Sequence, residues 1–142
     1  ETVAVARNLV RIPVLKIDEP MAIEAVEKGQ RIGVLGTLGS VLDPCSRLIQ
    51  TKASEKGKHV EIEKLLCRKA FDMLMAGDTA GHDNELLDNI DQLAGRNDVV
   101  VLAQGSMFRI LEKLDSSRSV PVIGCLEAGV RQIRNLLGGA NV

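Results

Sequence analysis

Aromatic side chains are nearly absent from this chain, which has two Phe, no Trp and no Tyr among its 142 residues. That leaves too few rings to build an aromatic cage for a cation or a stacking platform for nucleic-acid bases. The composition is otherwise that of one globular domain, with 45% hydrophobic and 26% charged residues. We therefore expect a core packed from Val, Ile, Leu, Ala and Met.

An excess of charge of one sign is also lacking. The 18 Lys and Arg residues nearly balance the 19 Asp and Glu residues, for a net charge of −1, which argues against nucleic acid or an anionic membrane as the main partner. The longest apolar runs, such as residues 99–103, are too short to span a bilayer, and no signal-peptide pattern is present. These features predict a cytoplasmic protein without a nucleic-acid or membrane partner.

Cysteine is scarce, and its spacing excludes two common uses. Cys45, Cys67 and Cys125 are odd in number, far apart and not arranged as a Cys-x-x-Cys pair. A disulfide framework and a zinc site are therefore not expected, and a reducing compartment is. Cys45 and Cys67 fall within or beside predicted helices, so we assign them to the core and predict no metal site.

Strand and helix patterns alternate along the chain. The predicted strands are residues 11–17, 31–36, 59–65, 98–103 and 120–123. The predicted helices are residues 1–8, the segment from Asp18 to Gly29, the segment from the turn at 37–40 to Lys56, and residues 71–76, 84–93, 106–114 and 127–137, the last ending at Gly138-Gly139. This order predicts an α/β fold with an open parallel sheet and helices on both faces.

One sequence pattern occurs twice. Ile12-Pro-Val-Leu15 and Val120-Pro-Val-Ile123 are 108 residues apart, and the same offset carries Glu19 onto Glu127, each at the start of a helix. The match is either chance or the sign of two similar halves. On the second interpretation, residues 1–30 are the remnant of a first lobe, residues 31–123 form a complete lobe, and residues 124–142 return toward the first. Most of the first lobe would then lie upstream of Glu1.

Ligands of open parallel sheets bind beyond the carboxyl ends of the strands. The first loop there, Thr37-Leu38-Gly39-Ser40, offers backbone N–H groups, two hydroxyls and a helix start, which suits an anion. It lacks the Walker A and Gly-x-Gly-x-x-Gly patterns, so a small carboxylate suits it better than a nucleotide. The alternative is a tight turn whose Ser and Thr cap the helix.

Two further loops and one histidine are candidates for the chemistry. Gln104, Gly105 and Ser106 follow the most apolar strand and either contact a ligand or cap the next helix. Cys125 begins a helix, where a thiolate is favoured, although a free Cys is more often a buried filler. His82 is a possible proton shuttle or, alternatively, a solvated or capping side chain.

Four segments together resemble a known family. RIGVLGTLGSVLDP, AGDTAGHD, DVVVLAQGSM and VPVIG, in this order and spacing, are similar to the aspartate/glutamate/hydantoin racemase superfamily over nearly the whole chain. The resemblance implies a cofactor-independent isomerase with two flavodoxin-like α/β lobes and an active site in the cleft between them. It also implies two cysteines, one in each lobe, that exchange a proton on opposite faces of the substrate carbon.

The resemblance carries over to some positions and not to others. Thr37 and Ser40 match the hydroxyls of a carboxylate-binding turn, and Gln104 stands where the second-lobe cysteine is expected. The first-lobe cysteine is expected upstream of Glu1. Gln104, Ser106, Cys125 and His82 are therefore the candidate catalytic residues, and Leu38, Gly39 and Gly105 join Thr37 and Ser40 as candidate substrate-binding residues.

The expected function is a racemase-type reaction without cofactor. It acts at the carbon alpha to the carboxylate or carbonyl of a small amino acid, hydantoin or related compound. A reaction with one acid/base group, such as decarboxylation followed by one-sided protonation, needs only one thiol. The alternative is a non-catalytic α/β module, or an inactive fragment, that binds a small anion or a protein partner. A homo-oligomer is expected in either case.

Overall fold

The computed structural model describes residues 2–115 and 117–138, so the expectations for Glu1 and for Gly139 onward lie outside the described residues. The described helices are α1 (Thr2–Leu9), α2 (Glu19–Lys28), α3 (Gly39–Glu55), α4 (Arg68–Met75), α5 (Thr79–Ala94), α6 (Phe108–Leu111) and α7 (Cys125–Leu136). The described strands are β1 (Arg31–Gly36), β2 (Glu61–Leu66), β3 (Val99–Leu102) and β4 (Val122–Gly124).

The four strands form one parallel sheet in the order β2-β1-β3-β4. β1 and β3 occupy the centre, in a register that places Ile32 opposite Val99 and Leu35 opposite Leu102. All four residues of β3 are buried, as its run of β-branched residues predicts for a strand covered on both faces. The predicted parallel α/β architecture is confirmed.

Helices cover both faces of the sheet, and the strand residues alternate between the two. Ile32, Val34, Val99 and Val101 pack under α2 and α3, whose inner residues include Met21, Ala22, Ala25, Val26 and Ile49. Leu35, Val100 and Leu102 pack on the other side against α4, α5 and α6, including Leu86, Ile90 and Ile110. Burying one such large apolar side chain stabilises the fold by roughly 1.5–3 kcal/mol.

The predicted strand at residues 11–17 is wrong, because this segment is irregular. Its sequence has strand composition, but a strand needs a neighbour to take up its backbone hydrogen bonds, and none of the four strands of the described sheet pairs with it. Ile12 is 72% exposed and Ile17 is 51% exposed. The segment instead leads into α2, which begins after Asp18 and ends at Gly29 as predicted.

Several predicted boundaries are displaced for local reasons. α5 begins at Thr79 and not at residue 84, because the Asp78 carboxylate caps the helix by accepting a hydrogen bond from the Gly81 N–H at 2.8 Å. The helix predicted for residues 106–114 is a 3-10 turn, Gly105–Met107, followed by the single-turn α6. α7 begins two residues earlier than predicted, directly after β4.

One carboxylate fastens the amino end of β1 to that of β3. The Asp98 Oδ2 atom accepts from the backbone N–H groups of Gln30 (3.0 Å) and Arg31 (2.9 Å), and Oδ1 accepts from the Arg31 guanidinium at 2.7 Å. Gly29 lies so close that a Cβ there would stand 2.5 Å from the Asp98 Cβ. The backbone N–H and then the side chain of Arg31 hold the pKa of Asp98 at about 2.

We predict that Asp98→Asn lowers the free energy of unfolding at pH 7, because the amide cannot accept all of these hydrogen bonds. A carboxylate with a depressed pKa stabilises the fold fully above its ordinary pKa of 3.8 and loses that contribution as the pH falls toward about 2. The variant should therefore lose less stability than the parent between pH 4 and pH 2 in urea titrations. Asp88→Asn, on the exposed side of α5, is the control; equal pH profiles for Asp98→Asn and the parent would contradict the assignment.

Candidate functional site

The loops that follow the four strands all lie at one edge of the sheet, because the strands are parallel. Thr37 and Leu38 lie between β1 and α3, and Ala103 and Gln104 lie between β3 and the 3-10 turn. β4 runs directly into Cys125. The three loops predicted to form the site are therefore brought to one edge. Its chemistry depends on which of their side chains meet.

Thr37 and Gln104 meet through the register of the central strands. Each lies two residues beyond the last pair, Leu35 opposite Leu102. The Gln104 Oε1 atom accepts hydrogen bonds from the Thr37 backbone N–H at 2.7 Å and from the Thr37 hydroxyl at 3.0 Å. Thr37 is only 6% exposed, so Gln104 satisfies both of its donors away from solvent.

These two bonds fix which end of the Gln104 carboxamide faces Thr37. The Thr37 backbone N–H can only donate, so the oxygen of the carboxamide must be the end that it meets. The carboxamide nitrogen of Gln104, with two N–H donors, is then the end left for a ligand. A carboxamide cannot exchange a proton near neutral pH. In this orientation, however, Gln104 can donate hydrogen bonds to an anion.

The turn after Thr37 leads into the start of α3. Leu38 is the extended residue before the helix, and Gly39 and Ser40 are exposed in its first turn. The first N–H groups of a helix have no partner within it and carry its positive dipole end. A Cβ placed on Gly39 would meet no atom within 4 Å, so the backbone at this position faces open space that a small anion can occupy.

Cys125 adjoins the same edge as a neutral thiol. A Cβ on Gly105 would lie 3.8 Å from the Cys125 Sγ atom, which places the thiol beside the β3 loop. Burial raises the pKa of the Cys125 thiol, and the carboxylates of Asp18 and Glu127 raise it further, although the N–H groups at the start of α7 oppose them. The expectation that the helix start favours a thiolate is therefore wrong, because burial outweighs the helix.

Cys45 is a second buried thiol near Cys125. It lies on α3, is 6% exposed and belongs to the same core cluster as Cys125. Burial, followed by the charge of Asp18, raises the pKa of Cys45 to about 12. This agrees with its assignment to the core, since a thiol with such a pKa stays protonated at neutral pH.

His82 belongs to a different cluster, on the face of the sheet covered by α5 and α6. It is 5% exposed, so it is not the solvated side chain of the alternative interpretation. Its Nδ1 atom lies 2.7 Å from the Asp83 carboxylate, which also accepts from Arg109 of α6 and from Lys113 just after α6. Burial acts to raise the pKa of Asp83, but the hydrogen bonds from these cations and from His82 outweigh it and hold the pKa well below its ordinary value.

Ser106 lies in the 3-10 turn after Gln104 and is exposed. The described contacts give its hydroxyl no neighbouring base that would activate it as a nucleophile. Its place beside Gln104 and Gly105 leaves it as a possible hydrogen-bond partner of a ligand at the edge.

The sequence interpretation assigned Cys67 to the core, where the structure places it at 4% exposure, and overlooked Asn89 beside it. The Cys67 N–H donates to the Gly36 carbonyl at 2.8 Å, so the residue lies directly beside the end of β1. The Asn89 carboxamide lies 3.4 Å from the Cys67 Sγ atom. Burial raises the pKa of Cys67. The position of Cys67 just after a predicted strand was the sequence signal for its place at this edge.

Two structural features are absent from residues 2–115 and 117–138. No group of three or more His, Cys, Asp and Glu side chains is placed to hold a metal ion. In the same part of the chain, no helix is long and apolar enough to cross a membrane.

The chain is similar to a known protein family and to two solved structures. Residues 2–133 match the model of a family described as Asp/Glu/Hydantoin racemase. Allantoin racemase from Klebsiella pneumoniae is similar in structure, with a TM-score of 0.65 and 20% identity over 96% of this chain and 55% of that protein. Glutamate racemase isoform RacE1 from Bacillus anthracis is also similar in structure, with a TM-score of 0.63 and 20% identity over 96% of this chain and 54% of that protein.

No curated protein sequence matches the chain. At 20% identity the two structural neighbours establish the shared fold. The chain spans about half the length of each of them.

We predict that Gln104→Glu weakens the binding of a small carboxylate such as aspartate by roughly tenfold to a hundredfold, because a charged ligand loses a donor and gains a repelling neighbour. The glutamate still accepts from Thr37, so the urea midpoint should change little. Isothermal calorimetry measures the affinity, and Cys67→Ala, which leaves the Thr37–Gln104 pair intact, is the control. An unchanged affinity for Gln104→Glu would remove Gln104 from the binding site.

The raised pKa of Cys125 predicts slow alkylation. Its reaction with iodoacetamide should keep accelerating above pH 9.0, the ordinary thiol pKa, because only the thiolate reacts. Peptide mapping by mass spectrometry at pH 7 to 11 separates Cys125 from the other two cysteines, and the urea-unfolded chain is the reference. A folded-state rate that levels off below pH 9 would show that the thiol is activated.

Proposed function

Because the chain belongs to the Asp/Glu/Hydantoin racemase family, we propose that it takes part in a racemase-type reaction at the carbon alpha to a carboxylate or carbonyl. The substrate is a small amino acid, a hydantoin or a related compound, and the reaction needs no cofactor. The observation that carries this proposal is the Thr37–Gln104 pair at the carboxyl edge of the sheet, with the Cys125 thiol beside the same loop.

Removing a proton next to a carboxylate adds negative charge to a group that is already anionic. The site must therefore surround the carboxylate with donors that stabilise the enolate-like transition state. The N–H groups at the start of α3, the Ser40 hydroxyl and the carboxamide nitrogen of Gln104 are such donors. Their dipoles are fixed by the helix and by the bonds to Thr37, so they need little reorganisation when the charge develops.

Cys125 supplies a proton to one face of the carbon. A thiol that stays neutral at pH 7 is suited to donate a proton to the carbanion, and the base formed is a thiolate held at a helix start. The group that removes the first proton then comes from the opposite face. The chain spans about half of the two structural neighbours, and we propose that this second group belongs to the other half of the site.

The names of the two structural neighbours frame the choice of substrate. One is an allantoin racemase and the other a glutamate racemase, so one acts on a ring with amide groups and the other on an acyclic amino acid. The anion-binding turn at residues 37–40 favours a substrate with a free carboxylate. We therefore rank small amino acids ahead of hydantoins for this chain.

A reaction that protonates only one face of the substrate carbon is the second candidate function. With Gln104 at the position of the expected thiol, Cys125 is the candidate acid beside the Gln104 loop. Decarboxylation followed by protonation on one face requires one proton donor and no second base. It differs from racemisation in releasing carbon dioxide, which a coupled assay detects.

The test is exchange of the substrate α-hydrogen in deuterated water. It uses a polypeptide that carries both halves of the site, because the group that removes the proton is proposed to lie in the other half. We expect NMR to show loss of the α-proton signal of aspartate or glutamate, and Cys125→Ala to slow it by roughly a hundredfold or more, the contribution typical of a positioned acid. Cys45→Ala, which removes the neighbouring buried thiol, should keep the parent rate.

The results of this test distinguish an enzyme from a non-catalytic binding module. Carboxylate binding without exchange in the parent would favour the non-catalytic module that binds a small anion. Absence of both binding and exchange would contradict the proposal.

A further inference from the structure

A buried carboxylate near the start of α5 is paired with cations from a different element. Asp83 is 2% exposed. Its Oδ1 atom accepts a hydrogen bond from the Arg109 guanidinium at 2.7 Å and lies 2.7 Å from the His82 Nδ1 atom. Its Oδ2 atom accepts from the Lys113 Nζ atom at 2.6 Å. Because a buried charge is costly unless it is paired, these bonds tie α5 firmly to the segment around α6.

The two cations lie on one side of that segment. Arg109 is part of α6, and Lys113 follows it by four residues, with its backbone N–H donating to the Ile110 carbonyl at 3.0 Å. Residues four apart on consecutive helical turns lie on the same face. The Asp83 carboxylate therefore binds the segment at two successive turns, with one oxygen for each cation.

α6 depends on such an attachment because it is short. It has four residues, and a helix of one turn is not stable by itself in water. Met107 and Ile110, which are 2% and 0% exposed, fix it to the core. Apolar contacts are not directional, however, so they leave the rotation of the turn about its own axis free. The hydrogen bonds to Asp83 fix that rotation, because they require the donors to point at particular oxygen atoms.

The α6 segment continues directly from the residue that meets Thr37. The Gln104 carbonyl accepts from the Met107 N–H at 3.1 Å, which closes the 3-10 turn. α6 begins at the next residue. The Gln104 loop (residues 103–107) and α6 thus form one continuous run of turns, so a rotation of α6 also moves Gln104.

We propose that Asp83 is a positioning residue for Gln104. By binding Arg109 and Lys113, the Asp83 carboxylate holds α6 in the orientation at which the Gln104 carboxamide oxygen meets the Thr37 N–H at 2.7 Å. The carboxamide nitrogen of Gln104 is then kept free to donate to an anion. Asp83 acts through Gln104, because both of its own oxygens are already paired.

The test is hydrogen exchange at the Thr37 amide, whose described acceptor is the Gln104 side chain. We expect Asp83→Asn to speed this exchange by roughly tenfold or more, because a carboxamide offers one acceptor oxygen to two cations. The factor should exceed that for the Val101 amide in the centre of the sheet, which reports global unfolding. A role of Asp83 in overall stability alone would speed both amides equally, and that result would overturn the proposal.

A matched control lies on the same helix. Glu85, two residues after Asp83, accepts from Lys69 of α4 at 2.6 Å. Glu85→Gln removes the charge of this other ion pair and should leave exchange at Thr37 at the parent rate. Faster exchange at Thr37 in Glu85→Gln, to the same degree as in Asp83→Asn, would overturn the assignment to Asp83.

A double variant tests whether Asp83 acts through Gln104. Gln104→Ala removes the acceptor of the Thr37 amide and should give the fastest exchange there. Adding Asp83→Asn should then produce no further selective increase, because the two changes remove the same interaction. A further selective increase at Thr37 in the double variant would contradict the proposal.

Two surface variants give the same test if Asp83→Asn does not fold. The side chains of Arg109 and Lys113 are 37% and 51% exposed, so both can be changed with little loss of packing. Lys113→Gln leaves Asp83 paired with Arg109 and should speed exchange at Thr37 by a smaller factor. Arg109→Lys keeps a cation and should retain the parent rate. Parent rates in both Lys113→Gln and Arg109→Lys would overturn the proposal.

The consequence for ligand binding rests on the proposed function. Calorimetry should show the affinity for aspartate reduced roughly tenfold in Asp83→Asn and unchanged in Glu85→Gln. Binding of equal strength in Asp83→Asn and the parent would overturn the role of Asp83 in binding. A parent that binds no aspartate would contradict the proposed function, whereas selective exchange at Thr37 would still support the positioning of Gln104 by Asp83.

Discussion

The parallel pairing of β1 with β3 is the constraint on which the rest of the structure depends. Its register sets Leu35 opposite Leu102, and two residues later it brings Thr37 to Gln104. The same pairing directs one set of side chains under α2 and α3 and the other under α4, α5 and α6. A shift of one residue would exchange the two core faces and separate the site residues, so stability and site geometry have one origin.

The electrostatics of the site follow from how deeply its groups are buried. All three thiols have raised pKa values because burial disfavours the thiolate. The donors, by contrast, are fixed dipoles: helix N–H groups and a carboxamide held by Thr37. The edge is therefore suited to bind an anion and to donate a proton, and it is poorly suited to remove one. In the proposed reaction, the group that removes the proton therefore comes from outside this set of residues.

The sequence by itself determined the fold class and which loops meet at the carboxyl edge of the sheet. Alternating apolar patterns, Gly and Pro positions and the run in β3 predicted the parallel sheet, and the loops after the strands predicted the edge where Thr37, Gln104 and Cys125 lie. Local patterns carry this information because period and turn chemistry depend on neighbouring residues. They failed at residues 11–17, where composition predicts a strand but pairing depends on a partner elsewhere.

The tertiary structure alone decided which groups the side chains contact and in which direction their pKa values shift. It buried His82 beside the Asp83 carboxylate, turned the Gln104 carboxamide oxygen toward Thr37, and buried Cys125 deeply enough to overcome the helix start. It also brought Cys67 beside β1. Burial, hydrogen-bond partners and desolvation are sums over residues distant in sequence, so no local pattern encodes them.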